Sequence, residues 1–285
     1  MWRPLFAFLC IACAANVSAA SDLPRAEELF NRTSYEASLA LLDKHSSDAS
    51  TNFLIGRNYL MTGEFKQSID YLERAVQSSP GNSEYVDWLG RAYGRRAEAS
   101  SNPFLAASLA SKARAAFEKS VQLNPNDRDA LDDLFDFYLE APGILGGGHD
   151  KASSIAERIA ALDPGEGYYD QFKLDQKRKS FDSAEQHLRE AIRAAPHSVH
   201  HIIALARFLA NQGRVTESDA MFAKAQQVAP NNPVVWYAQA DVLIKQKRNL
   251  DEAKMLLTKY VHASITADDP PREDALRLLK QAGGA

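Results

Sequence analysis

The chain has 285 residues, of which 45% are hydrophobic and 25% are charged, an ordinary profile for a globular protein. Its formal net charge of −4 argues against a general binder of nucleic acid or of anionic membranes. Both cysteines, Cys10 and Cys13, lie near the N-terminus. The sequence beyond them therefore excludes disulfides, thiol nucleophiles and thiolate metal sites.

The first twenty residues have the layout of a secretory signal peptide. Arg3 supplies a positive charge, Leu5 to Ala15 form an apolar core, and small residues precede Ser21. This core is shorter than the ~20 residues that a membrane-spanning helix needs. We therefore expect residues 1–20 to be cleaved and the mature protein to be periplasmic or secreted. Two alternatives stay open, an uncleaved anchor and lipidation of Cys13, and only these would bring the protein to a membrane.

A helical hairpin is predicted over residues 52–80. Small and apolar residues recur at helical spacing, with Ile55, Gly56 and Tyr59 in a first helix and Phe65, Ser68, Leu72 and Ala75 in a second. Thr62-Gly63 marks the turn between them, and Pro80 ends the unit because proline cannot continue a helix.

The same unit recurs to the end of the chain. The prolines that end its copies are Pro80, Pro125, Pro164, Pro196 and Pro230, at intervals of 45, 39, 32 and 34 residues. Small residues recur where two helices would cross closely, at Gly56, Gly90, Ser68, Ala113, Ala152, Ala184, Ser218 and Ala253. This pattern resembles the tetratricopeptide repeat, a family of helical hairpins of about 34 residues.

The resemblance implies an all-α fold, a right-handed solenoid of antiparallel helix pairs. One repeat cannot bury its apolar face alone, so neighbouring repeats must stack. About six repeats are predicted over residues 49–267. Residues 21–48 are expected to form capping helices or a degenerate repeat, with PRAEELFNR and SYEASLALLDKH as the two helices. Residues 268–285 are expected to form a C-terminal capping helix.

Two repeats are longer than the family period, because of insertions at residues 94–112 and 141–150. The first insertion predicts two lengthened helices, at about 83–99 and 103–123, since Asn102-Pro103 is a strong helix start. Both insertions fall at equivalent turns, so we expect them to emerge on one edge. There, Phe104 and Leu105 are predicted to pack on Ile144 and Leu145.

The resemblance also places ligand-facing positions on one face of each first helix. The predicted groove residues are Phe53, Arg57, Arg91, Arg95, Tyr169, Lys173, Lys177, Arg207, Asn211 and Tyr237. One interpretation is that the basic residues contact acidic groups of a bound segment. The other is that charges pair between neighbouring helices, for example Arg91 and Arg95 with Asp132 and Asp136.

The function that the resemblance implies is a non-catalytic scaffold, without a cofactor. It would bind a protein or peptide with acidic groups in its concave groove, and neither nucleic acid nor a small-molecule substrate. With a secretory signal, such a scaffold would act in the assembly or maintenance of a cell-envelope complex.

Two local patterns suggest a metal- or nucleotide-dependent module instead. His197, His200 and His201 are spaced so that they could share a helical face and bind a metal. Residues 143–151 have the glycines of a phosphate-binding loop, but the G-K-[ST] order and a preceding strand are missing. The sequence contains no HExxH or GxSxG motif, so no enzyme is predicted.

Overall fold

The structure, a computed structural model, describes residues 22–266 and 269–283. In those ranges the chain forms fifteen α-helices and no strand. The helices are α1 (Leu23–Asn31), α2 (Tyr35–Ala40), α3 (Ala49–Met61), α4 (Phe65–Ser78), α5 (Ser83–Glu98), α6 (Pro103–Leu123), α7 (Arg128–Glu140), α8 (His149–Leu162), α9 (Pro164–Lys177), α10 (Phe181–Ala194), α11 (Val199–Asn211), α12 (Val215–Val228), α13 (Pro233–Lys245), α14 (Leu250–His262) and α15 (Arg272–Gly283). The predicted signal peptide lies outside the described residues.

Consecutive helices pack on each other as antiparallel pairs, and this stacking is the predicted solenoid. The first helix of each repeat starts at a side chain that accepts a hydrogen bond from the backbone N–H groups of its first turn. These caps are Asp48, Asn82, Asp127, Asp163, Ser198 and Asn232. A cap of this kind satisfies N–H groups that have no partner within the helix.

Small residues lie where the helices of a pair cross. A Cβ atom on Gly56 would lie 2.6 Å from Cγ of Leu72, so only glycine allows α3 and α4 to approach this closely. Ser218 occupies the equivalent place on α12, and its hydroxyl donates to the carbonyl oxygen of Ala206 on α11 at 2.8 Å. These contacts confirm that the small residues of the sequence pattern mark helix crossings.

Terminal helices cover both ends of the stack. At the N-terminal end, Ala26 and Phe30 of α1 pack with Leu54 and Ile55 of α3 in one buried cluster. At the other end, α15 packs Ala275 and Leu278 on the residues of α14. Helix α2 ends at Ala40 and is shorter than the predicted segment. No helix within the described ranges is both long and apolar enough to cross a bilayer.

The second insertion contacts helix α6, but not through the predicted apolar contact with the first insertion. Phe104 is 87% exposed and Ile144 is 94% exposed, so the predicted cluster of these side chains is wrong. Arg114 makes the contact instead, since its Nη1 donates to the carbonyl oxygen of Leu145 at 3.4 Å. Phe104 lies ten residues before Arg114 in a straight helix, about 15 Å away at 1.5 Å per residue. Phe104 therefore lies too far along α6 to cover the loop at residues 141–150.

Candidate functional site

The first helices of the six repeats (α3, α5, α7, α9, α11 and α13) carry the predicted groove residues, and we call the surface that they share the first-helix face. Charged side chains reach across this face from one first helix to the next. Arg91 of α5 pairs with Asp133 of α7, and Lys173 of α9 lies 2.8 Å from Asp136 of α7. Neighbouring first helices are therefore linked by ion pairs in the free protein.

The interpretation that charges pair between helices holds for Arg91, but with other partners than predicted. Nε of Arg91 lies 3.1 Å from Oδ2 of Asp87 and also pairs with Asp133, not with Asp132. Arg95 pairs within its own helix, with Glu98 at 3.1 Å. The difference between Asp132 and Asp133 is a rotation of about 100° around α7, which decides the partner.

The remaining basic residues of the predicted groove are paired as well. Nζ of Lys173 also lies 3.1 Å from Oδ1 of Asp170, and Nζ of Lys177 lies 2.5 Å from Glu140. Arg207 lies 3.8 Å from Asp241. An acidic ligand would have to compete with these carboxylates for every one of the cations.

The aromatic and amide residues of the prediction divide into three kinds. Phe53 is buried and stacks on Tyr85 at 4.4 Å between ring centroids, so little of its ring is open to a ligand, and its role as an anchor stays a prediction. Tyr169 is half-buried, with its ring centroid 4.6 Å from that of His200. Tyr237 packs on Tyr260, and Asn211 is exposed at the end of α11. Both tyrosines lie near charged groups of the first-helix face, Tyr169 near Lys173 and Tyr237 near Asp241 and Arg207.

Arg57 has a structural role at the N-terminal end of this face. Its guanidinium carbon lies 4.2 Å from the ring centroid of Phe30 and 4.7 Å from that of Trp88. A cation near the faces of aromatic rings is stabilised by their quadrupoles. Arg57 also borders an open pocket of about 260 Å³ that Glu27 and Glu84 help to line.

Several carboxyl groups near this face are fully or partly buried, and they lose more solvation than the neighbouring cations restore. Burial raises the pKa of Asp170 to about 7, because the loss of solvent outweighs the attraction of Lys173. Burial likewise raises the pKa of Asp132 to about 6, against the effect of Arg128. Burial and the neighbouring Asp133 raise the pKa of Asp87 to about 8. The sequence prediction considered Asp132 only as a pairing partner of the cations. It did not single out Asp170, although helical spacing places Asp170 beside Lys173.

The three histidines do not converge on a metal site. His201 is 1% exposed and its Nε2 lies 3.3 Å from Oε1 of Glu166 between α9 and α11, whereas His197 and His200 are exposed. His201 lowers the pKa of Glu166. Within the described residues, no group of three or more His, Cys, Asp or Glu side chains could hold a metal ion.

The glycine-rich loop has a packing explanation. Gly146 has φ of +94° and lies against the guanidinium of Arg114, and a Cβ atom on Gly147 would collide with the carbonyl oxygen of Ala141. Lys151 donates to the carbonyl oxygen of Gly146 at 2.8 Å. The lysine therefore holds the loop's own backbone, and the glycines allow a turn that side chains would prevent.

Comparisons with known proteins agree with this architecture. Family models described as the tetratricopeptide repeat match residues 49–82 and 176–242. A tetratricopeptide repeat protein from Parabacteroides merdae is 12% identical with a TM-score of 0.58, over 93% of this chain and 99% of that one. A thermophilic one from Thermus thermophilus is 18% identical with a TM-score of 0.56, over 67% of this chain and 99% of that one. No match was found among proteins with curated functions. At these identities the structural likeness concerns the fold alone.

Proposed function

The chain is a tetratricopeptide repeat protein, and we propose that it is a non-catalytic scaffold that holds a segment of a partner protein against its first-helix face. Proteins of this family generally bind protein or peptide partners. The observation that carries the proposal is the row of charged side chains that links neighbouring first helices, from Arg91 and Asp133 to Lys173 and Asp136. Ion pairs hold these side chains in place before any partner arrives, which lowers the entropy lost on binding.

We also propose that this scaffold acts in the cell envelope, after export. The support is the charged, apolar and small-residue pattern of residues 1–20. The intact mass of the protein from its native host would test export. A mature chain that begins near Ser21 supports the proposal, whereas a retained N-terminus or a lipid adduct on Cys13 would replace it with an anchored form.

The ion pairs of the first-helix face weaken the argument that the partner carries acidic groups. It assumed cations that await a ligand, but Arg91, Lys173 and Lys177 each already have carboxylate partners. The first-helix face stays the proposed binding surface. The balance of acidic and basic side chains on it decides which charge the bound segment should carry.

A crosslinking pull-down from the native envelope would identify the partner, and two double variants then test the face. Tyr169→Ala with Arg207→Ala should weaken binding of that partner, because both side chains lie on first helices. The control, Lys119→Ala with Met255→Ala, changes exposed residues on the second helices α6 and α14. Equal affinity of both double variants and the unmodified protein would disprove binding at the first-helix face.

A further inference from the structure

The middle of the first-helix face is strongly acidic. Helices α7 and α9 together contain eight acidic and three basic side chains, whereas α5 contains three of each. The acidic residues of α7 are Asp129, Asp132, Asp133, Asp136 and Glu140. Their spacing of three or four residues places most of them along one side of the helix. The acidic charge is therefore concentrated in one section of the face, which we call the central section.

The three cations of the central section already form ion pairs with neighbouring carboxylates. Arg128 lies 3.1 Å from Asp132, 3.1 Å from Asp163 and 3.4 Å from Glu166. Lys173 bridges Asp136 and Asp170, and Lys177 pairs with Glu140. Asp136 and Glu140 nevertheless keep 57% and 60% of their side-chain surface exposed. Their oxygens are accessible from solvent on one side.

A buried carboxyl group in the same cluster lacks a donor. Asp170 is 2% exposed, and its Oδ1 contacts Lys173. Its Oδ2 has no hydrogen-bond partner among the described residues. A buried polar atom without a partner destabilises the folded state, so its presence in a folded protein calls for an explanation. The raised pKa values of Asp132 and Asp170 have the same first cause, loss of solvent around the carboxyl groups, which the neighbouring Arg128 and Lys173 only partly offset.

Aromatic rings also face the charged groups of this section. Nζ of Lys173 lies 4.4 Å from the ring centroid of Phe135 and 5.4 Å from that of Tyr169. A ring face attracts a cation, and it offers apolar surface to the methylene groups that carry the charge. Phe135 is fully buried, so of these two rings only the half-buried Tyr169 offers surface to a ligand. The section thus combines exposed carboxylates with the ring of Tyr169, two features that recognise a long basic side chain.

We infer that the central section binds a lysine or arginine side chain of the partner segment, with Asp129, Asp136 and Glu140 as the first carboxylates that it contacts. This inference rests on the proposed function and specifies the chemistry of the partner. An ammonium or guanidinium group brings the positive charge that the central section lacks. An acidic segment would instead meet five carboxylates along α7, and like charges at close range repel.

The probes for this inference are two labelled peptides of about twelve residues, one alternating lysine with alanine and the other glutamate with alanine. Fluorescence anisotropy with the full chain should show at least about tenfold tighter binding of the lysine peptide. The double variant Asp136→Asn with Glu140→Gln should weaken that binding about tenfold and reduce its dependence on salt. The control, Asp150→Asn with Glu157→Gln, removes the same charge from α8, the second helix of the same repeat, and should retain the affinity.

Three results would overturn the inference. They are tighter binding of the glutamate peptide, no binding of the lysine peptide, and equal losses in the two double variants, which would indicate attraction by net charge alone. Magnesium chloride without peptide is a further arm. A thermal shift with Mg²⁺ that Asp136→Asn with Glu140→Gln abolishes would assign the carboxylates to a metal ion and overturn the assignment to a basic side chain.

Binding of the native partner to both double variants distinguishes a failure of this inference from a failure of the proposed function. A partner that Tyr169→Ala with Arg207→Ala weakens, but that binds normally to Asp136→Asn with Glu140→Gln, would keep the first-helix face and reject the basic contact. A partner that neither variant affects would reject both.

Discussion

Gly90 of α5 lies against the ring of Phe117 of α6, so that a Cβ atom at position 90 would be 2.7 Å from Cε1 of the ring. Gly90→Ala should therefore lower the free energy of unfolding by about 1–3 kcal/mol, the usual effect of overpacking. Gly94 provides the matched control in the same helix, because nothing lies within 4 Å of its Cβ position.

Gly94→Ala should raise the free energy of unfolding by about 0.5–1 kcal/mol, since alanine favours a helix interior more than glycine does. Urea unfolding followed by circular dichroism measures both variants. Equal effects of the two substitutions would show that α5 and α6 do not cross at Gly90.

The sequence predicts these helix pairs because close packing requires small residues at fixed positions within each repeat. Gly90 and Ala113 recur at the family spacing, and Asn102-Pro103 announces the start of α6. The predicted helices at about 83–99 and 103–123 accordingly agree with Ser83–Glu98 and Pro103–Leu123.

The ion-pair partners could not be found in the same way. Which aspartate faces Arg91 depends on how α7 is rotated and shifted relative to α5, and the insertion between these helices changes that shift. The burial of Phe53 depends on Tyr85, which belongs to the next repeat. His201 is turned inward by the packing of α9 against α11. Each of these outcomes depends on the placement of two helices, which the spacing within one helix does not specify.

Asp87 is expected to make stability depend on pH. Its carboxyl is buried beside Arg91 of its own helix and Asp133 of α7, with Asp127 adding negative charge, and its pKa is raised from 3.8 to about 8. The folded protein therefore retains a proton between about pH 4 and pH 8 that the unfolded chain releases. This group lowers stability as the pH rises through that window.

Asp87→Asn imitates the protonated group and should remove this loss. At about pH 8.5 the variant should be more stable than the unmodified protein by about 1–3 kcal/mol, and at about pH 4, the lower end of the window, the difference should nearly vanish. Urea unfolding at both pH values measures the change, with the fully exposed Asp251→Asn as the control. A variant that is less stable at the higher pH would show that Arg91 requires an ionised Asp87.

Phe104→Asp should leave the melting temperature unchanged or slightly higher. Phe104 is 87% exposed in the first turn of α6, so little buried area is lost. A carboxylate in that turn also interacts favourably with the helix dipole. Phe117→Ala is the contrast on the same helix, where a buried ring is removed at a cost of about 3–5 kcal/mol. Differential scanning calorimetry of both variants checks the prediction, and a large loss for Phe104→Asp would mean that the tip of α6 is covered.

Arg57 is expected to hold the N-terminal helix pair on the repeats. Its guanidinium contacts the rings of Phe30 of α1 and Trp88 of α5, which pack edge-to-face on each other, and Glu27 of α1 is 3.8 Å away. One side chain thus connects the capping pair with two repeats. Arg57→Ala removes both ring contacts and the packing of the stem, and should lower the free energy of unfolding by about 1–3 kcal/mol.

Arg57→Lys separates charge from shape. Lysine keeps the positive charge but lacks the planar guanidinium that contacts both rings, so it should recover only part of the lost stability. The exposed Arg32→Ala, which breaks a surface pair with Glu28, is the control and should change stability by less than about 0.5 kcal/mol. Hydrogen exchange gives the local readout, because α1 amides should exchange faster in Arg57→Ala while α11 amides keep their protection. Equal protection of α1 in Arg57→Ala and the unmodified protein would assign the docking of this pair to Ala26, Phe30 and Leu54 alone.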